Sequence, residues 1–349
     1  MSAAERLDAA RASRAGGRPL QAHDLRGCDL RGEDWSGATF LDCCFTEAIF
    51  GDCDLKAARF IACDLAGTSW GASTTHGLMM QRCTLTESDW SGGSHYQLCA
   101  TQSDWRGAKL AEARFERATW AQSDWRGVDA TGLHGDGCVW IGTRWDDARL
   151  DETDLTSCTL TGLDAGALRG MSDTRWTRCV IDDLRCEGLD LRDAEWQICQ
   201  FPRAHIVETC LDGATLRNCG FHEATLDRVS FLGADLTQTQ WAGATITACD
   251  FGGCAASASI WAGAHLVDTR LQDSDLRQGL LAGAVLDRCD FARADLGFAD
   301  LSGCISRDTA WGGAITSFAR VSDTKGVPLA LFPDGATRCF LDPTSLAKG

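Results

Sequence analysis

The chain has 349 residues, with 49 acidic and 33 basic side chains and a formal charge of −16. That charge disfavours nonspecific binding to nucleic acid or to an anionic membrane, and no apolar run of ~18 residues is present to span a bilayer. The 37 Gly, 19 Cys and 13 Trp, against 5 Pro and 1 Tyr, point to internal repetition rather than to two or three ordinary domains.

The first predicted element is a short helix over 3–14 (AAERLDAARASR), stopped at Gly16-Gly17 and followed by Pro19-Leu20. Residues 1–22 are read as a capping helix and linker. They contain no apolar segment of a secretory leader, so the cysteines are expected to be reduced thiols in a cytoplasm.

A regular beat begins at Leu25. Steps of five reach Leu30, Trp35, Phe40, Phe45, Phe50, Leu55, Phe60, Leu65 and Trp70, and the beat is read on to Gly170. One residue is then inserted near 171–175, and the beat resumes at Trp176 and runs to Val321. All 13 Trp fall on it. The residue two places earlier is usually small, and 14 of the 19 Cys stand there. A period of five fits neither a helix nor a strand. It fits a chain that turns a corner every five residues and points two side chains inward on each side.

Tryptophan pairs give the number of sides. Six pairs are 20 apart (70/90, 105/125, 120/140, 125/145, 176/196 and 241/261), as are WAGA at 241–244 and 261–264 and QSDWRG at 102–107 and 122–127. Four sides of five therefore make one coil. About 15 coils are expected over 23–321, stacked at an inter-strand spacing of ~4.8 Å. In QSDWRG, Ser103, Ser123, Trp105 and Trp125 should point inward. Asp104, Asp124, Arg106 and Arg126 should point outward and pair diagonally between coils.

So many indoles need space and acceptors. Small inward residues in the same coil relieve some of the crowding, and where a beat residue shrinks its inward partner grows: Leu98 with Ala100, Leu133 with Gly135, Leu163 with Ala165, Leu168 with Gly170. The coil of Leu110, Phe115, Trp120 and Trp125 has no such relief. Ser or Thr stands two residues before 9 of the 13 Trp, which predicts hydroxyls that accept from indole N–H groups.

Candidate chemistry is sparse. Cys43, Cys63 and Cys83, and Cys138, Cys158, Cys179, Cys199 and Cys219, should form ladders, but a column does not converge on a metal as a tetrahedral site must. They are read as small buried hydrophobes; Cys44, Cys99 and Cys210 fall on outward positions. The repeat is broken at 71–80 and at 91–100, where His95, Tyr96 and Cys99 occur. Only there could a catalytic site be hosted, and no catalytic motif is found. No catalytic, cofactor-binding or metal-binding residue is therefore assigned. Residues 322–349 are read as a C-terminal cap, with strands at 327–332 and 336–341 about a turn at 333–335.

HDLRGCDLRGEDW (23–35), LGADLTQTQWAGA (232–244) and ARADLGFADLSGC (292–304) resemble the pentapeptide-repeat family, whose motif is A(D/N)LxX. The resemblance implies an all-β fold, a right-handed quadrilateral parallel β-helix. LDAARASRAGGRPLQAHDLRGCDLRG (7–32) is similar to members associated with bacterial type VI secretion. That implies a non-enzymatic acidic scaffold or adaptor that helps load spike or effector proteins. The alternative is a DNA mimic that binds DNA gyrase, as some family members do. Either partner would be a protein with a basic surface, with no nucleic acid and no membrane involved; the oligomeric state is not specified.

Overall fold

The computed structural model describes residues 1–16, 18–71 and 73–331. They form a parallel β-solenoid of about 14 turns with one short N-terminal helix. The chain divides into two compact units, Met1–Arg185 and Cys186–Gly349.

In the first unit the helix runs over Ala3–Ala15 and opens with a capping box between Ser2 and Glu5. Leu7 and Ala10 are its buried residues. Arg11 reaches Glu33 and Arg14 reaches Asp34, while the Arg14 guanidinium lies 5.3 Å over the Trp35 ring. The helix thus covers core that the first coil would otherwise expose.

Beyond it, nine parallel strands stack in chain order, from Leu20–Gln21 through Thr39–Leu41, Arg59–Ile61 and Cys99–Thr101 to Val180–Asp182. A second side carries six strands of this unit, from Thr74–His76 to Arg175–Thr177. The two remaining sides pair through single-residue bridges, such as Asp104 with Asp124 and Asp89 with Lys109. The register is 20 residues: Phe40 faces Phe60, Ala100 faces Trp120 and Trp120 faces Trp140. In the second unit, six strands from His205–Val207 to Ile305–Arg307 keep the same register.

Two expectations need correction, at the insertion and at the C-terminal cap. The extra residue lies before 171–175. Ala165 and Met171 are both buried, so the side between them has six residues, and it contains a 3-10 turn at Ala165–Ala167. Met171, not Gly170, takes the core position, and Leu168 is only half-buried. Register across this side accordingly becomes 21, as in Leu155 with Trp176. The breaks at 71–80 and 91–100 keep to the coil. They carry strands Thr74–His76, Met79–Gln81, Ser94–Tyr96 and Cys99–Thr101, with Thr75 and His95 inward in place of Leu or Phe. Finally, Val327 and Pro328 are irregular and Leu329–Leu331 is a 3-10 turn rather than a strand, and residues 332–341 of the expected strand-turn-strand lie outside the described residues.

The core explains how thirteen indoles fit. Relief for the crowded coil comes from its neighbours along each ladder: Ala100 adjoins Trp120, and Gly135 adjoins Phe115. A Cβ on Gly135 would lie 2.9 Å from Leu155 Cδ2, so that space is already used. Trp120 then stacks on Trp140 at 4.9 Å and meets Trp125 edge-on at 5.0 Å.

Candidate interaction surfaces

The sequence places aspartate one residue before many beat positions, and the structure gives the reason. Asp24, Asp29, Asp54, Asp64, Asp104 and Asp129 each accept the backbone N–H two residues on, at 3.0–3.2 Å. In the second unit Asp235, Asp275 and Asp295 do the same. Each carboxylate satisfies a corner amide that no coil partner can reach. The side effect is a row of fixed negative charges. Asp29 is held near about 2 by the Arg31 guanidinium and backbone N–H, and Asp34 near about 2 by the Ser36 hydroxyl and N–H and by Arg14.

The diagonal pairing expected for QSDWRG is replaced by a tighter one. Arg106 folds back on its own Asp104 through Nε at 2.9 Å and Nη2 at 2.7 Å, and Arg126 repeats this on Asp124. Two residues along one side of a coil bring the fork into bidentate reach, and the amide-bound carboxylate is already in place. Asp124 also takes Arg144 from the next coil. Burial works against its ionisation, but Arg126 and Arg144 still hold it below the usual carboxylate range. Ser103, Ser123, Trp105 and Trp125 are buried as expected.

The thiols do structural work. Cys43, Cys83 and Cys138 donate to the carbonyls of Leu20, Phe60 and Phe115 in the preceding coil, at 3.2–3.3 Å. Cys219 and Cys304 do the same in the second unit. Burial pushes Cys53, Cys254 and Cys304 up to about 12, so these thiols stay protonated. Cys44, Cys99 and Cys210 are half-buried at outward positions.

His95 belongs to the core, with 2% exposure. It shares a hydrogen bond with Thr75 Oγ1 at 2.9 Å, while Nε2 has no partner. Burial holds it near about 3, so it is neutral at physiological pH. Outside it, His76, Tyr96, Arg114, Glu116, His134 and Asp136 rim a hollow of about 490 Å³ on the six-stranded side. His76 stacks on Tyr96 at 4.6 Å, and Arg117 donates to the Tyr96 hydroxyl at 3.0 Å. His134 Nδ1 bonds to the Gly132 carbonyl at 2.8 Å; the hollow is an open surface feature rather than an enclosed site.

The expected hydroxyl–indole coupling holds only in part. Trp70, Trp90, Trp241 and Trp261 donate to Thr68, Ser88, Thr239 and Ser259 at 2.6–3.0 Å. Trp176 donates to Thr153, a coil earlier, at 3.2 Å. Seven indoles have no acceptor: Trp35, Trp105, Trp120, Trp125, Trp140, Trp145 and Trp311. The type of corner decides the outcome. Thr68, Ser88, Thr239 and Ser259 each close a turn through a backbone bond to the carbonyl three residues back, to which the hydroxyl also donates. That fixes the hydroxyl with its lone pairs towards the ring. Ser103, Ser123 and Thr309 follow corners without that backbone bond, and their hydroxyls turn to the carbonyls two residues back.

The pentapeptide-repeat profile matches in eight copies, over residues 24–56, 211–240 and 269–305. No curated protein is a significant match to this sequence. Among solved structures the chain is similar to HetL, a pentapeptide repeat protein involved in heterocyst differentiation regulation from the cyanobacterium Nostoc, at 20% identity, over 78% of this chain and 93% of that one, with a TM-score of 0.20. It is also similar to the plasmid-mediated fluoroquinolone resistance protein QnrB1, at 17% identity, over 66% and 92% of the two chains, with a TM-score of 0.22. The eight copies place pentapeptide repeats in both units, on the 20-residue register of the parallel β-solenoid.

Proposed function

We propose that this protein is a non-enzymatic, cytoplasmic scaffold whose acidic sides bind a protein partner with a basic surface. The observation that carries the reading is the set of aspartates fixed by corner amides with no arginine salt bridge on them among the described residues, as at Asp54, Asp64, Asp89, Asp129 and Asp290. Charges held in rows before a partner arrives cost little to organise and steer encounter with an opposite charge. Type VI spike or effector proteins are the partners we favour, from the likeness of residues 7–32. Affinity purification with neighbouring secretion components tests this. A spike or effector should co-purify and be released as salt rises; recovery of none removes the reading. The same charge supports a second reading, a DNA mimic acting on gyrase. Inhibition or protection of gyrase in a supercoiling assay at micromolar protein would favour it, and no effect would exclude it.

A further inference from the structure

One side of the first unit carries few charges of either sign. Its eight complete strands, Thr39–Leu41 to Val180–Asp182, present sixteen outward side chains, of which only Arg59 and Asp182 are charged. The adjacent side, on the ladder from Asp24 to Arg144, has nine charged among its fourteen outward residues from 24 to 146, five acidic and four basic. On this sparsely charged side Ile141 is 49% exposed, Met79 40% and Val180 38%. Five Thr, with Leu41, Ile61, Cys99, Ala121 and Val139, fill most of the rest. Arg59, Ile61, Met79, Gln81, Cys99 and Thr101 border a shallow hollow of about 430 Å³ there. An apolar, regular, uncovered sheet face is a feature that a purely solubilising surface would exclude.

We infer that this face is where two copies of the chain meet, sheet face on sheet face. Charge selects the occupant. Two chains of −16 each repel wherever their aspartate rows approach, and this nearly neutral face lets a second copy come close. Geometry agrees. Rows of β-branched and small side chains interdigitate in aligned sheet packing ~10 Å apart. The contact is two-fold and self-complementary. Full overlap places the axis on the fifth of the nine strands, Cys99–Thr101, so the two Cys99 thiols come together. Nine strands at ~4.8 Å and three residues of width give a footprint of roughly 400 Å² per copy. That is about half the standard interface, so the dimer is weak and reversible.

Sedimentation equilibrium of the whole protein, up to about 500 μM to reach weak association, is the test. A monomer–dimer equilibrium is expected. Met79→Glu with Ile141→Glu should weaken it at least ~10-fold, because each glutamate enters the two-fold contact twice. Both positions point to solvent, and an unchanged far-UV spectrum and melting curve would show that the fold survives. In a Cys44→Ser, Cys210→Ser, Cys339→Ser background a short bismaleimide should link two chains, and Cys99→Ser should abolish the link. A protein that stays monomeric overturns the inference. So does a dimer indifferent to the glutamates, or one without a Cys99-dependent link.

Discussion

Two tryptophan-rich stretches solve the same problem differently. Over 105–145 in the first unit, five indoles pack on one another, and none of their N–H groups has an acceptor. Over 241–261 in the second unit, Trp241 and Trp261 stack at 5.2 Å and each donates to a hydroxyl two residues earlier. Local sequence does not separate them, since SDW at 103–105 and SIW at 259–261 both offer serine at the same spacing. The corner does. A turn closed by a backbone bond holds the hydroxyl towards the ring, and an open corner lets it turn to carbonyls. The first stretch is thus stabilised by ring burial while carrying unmet polar groups, and the second is more fully satisfied.

The largest expected contrast is in acid. Beside the first stretch lies His95, packed against Trp90 and Phe115, and nothing equivalent lies at 241–261. Burial lowers its folded value to about 3 from the ordinary 6.5. Folding therefore disfavours the proton. The contribution of neutral His95 is whole above pH 6.5 and is lost as pH falls towards 3, amounting to about 4–5 kcal/mol at the end of that window. Hydrogen exchange at pH 4 should speed up around 75–135 well before 241–261. His95→Leu should remove most of the difference. Equal loss of protection in both stretches would break the contrast.

Next in size is the hydroxyl itself. Ser259→Ala strips the acceptor from Trp261 and the donor from the Ala256 carbonyl, both buried. It should cost about 1–3 kcal/mol in urea unfolding. Ser123→Ala removes only contacts of 3.4 Å to Ala100 and Ala121, and should cost under about 1 kcal/mol. Trp→Phe should reverse the order of benefit. Trp125→Phe deletes an unmet N–H, whereas Trp261→Phe takes from the buried Ser259 oxygen the donor it accepts from, so the second should cost about 1 kcal/mol more. Equal costs would mean that corner geometry does not matter.

These contrasts also mark what could be read in advance. Coil size, side number and inward positions were legible because a 20-residue register repeats large inward residues, and Trp, Phe and Leu dominate there. The site of insertion was not, because Gly170 has no side chain to reveal whether it faces the core, and Leu168 mimics an inward residue. The indole partners were not, because an open and a closed corner use the same small residues. Nor was the neutral face: its outward residues are 20 apart and scattered among charged ones, and only folding collects Thr119, Val139 and Ile141 on one side.

The smallest contrast concerns carboxylates. Asp124, 11% exposed at its side chain, accepts the Arg126 N–H and two guanidinium groups. Asp273 in the second unit is half-exposed and meets Arg293 across one coil. Asp124→Ala should cost about 1 kcal/mol, because a corner amide loses its acceptor as well as its ion pairs. Asp124→Asn keeps the acceptor and should cost less, with the remainder vanishing in 1 M salt, where the Debye length is ~3 Å. Asp273→Ala removes a screened surface pair, and no measurable change in urea midpoint is expected. Were Asp124→Asn as damaging as Asp124→Ala, charge rather than amide capping would be what the repeated aspartate supplies to the fold, and the rows would owe their existence to the ion pairs alone.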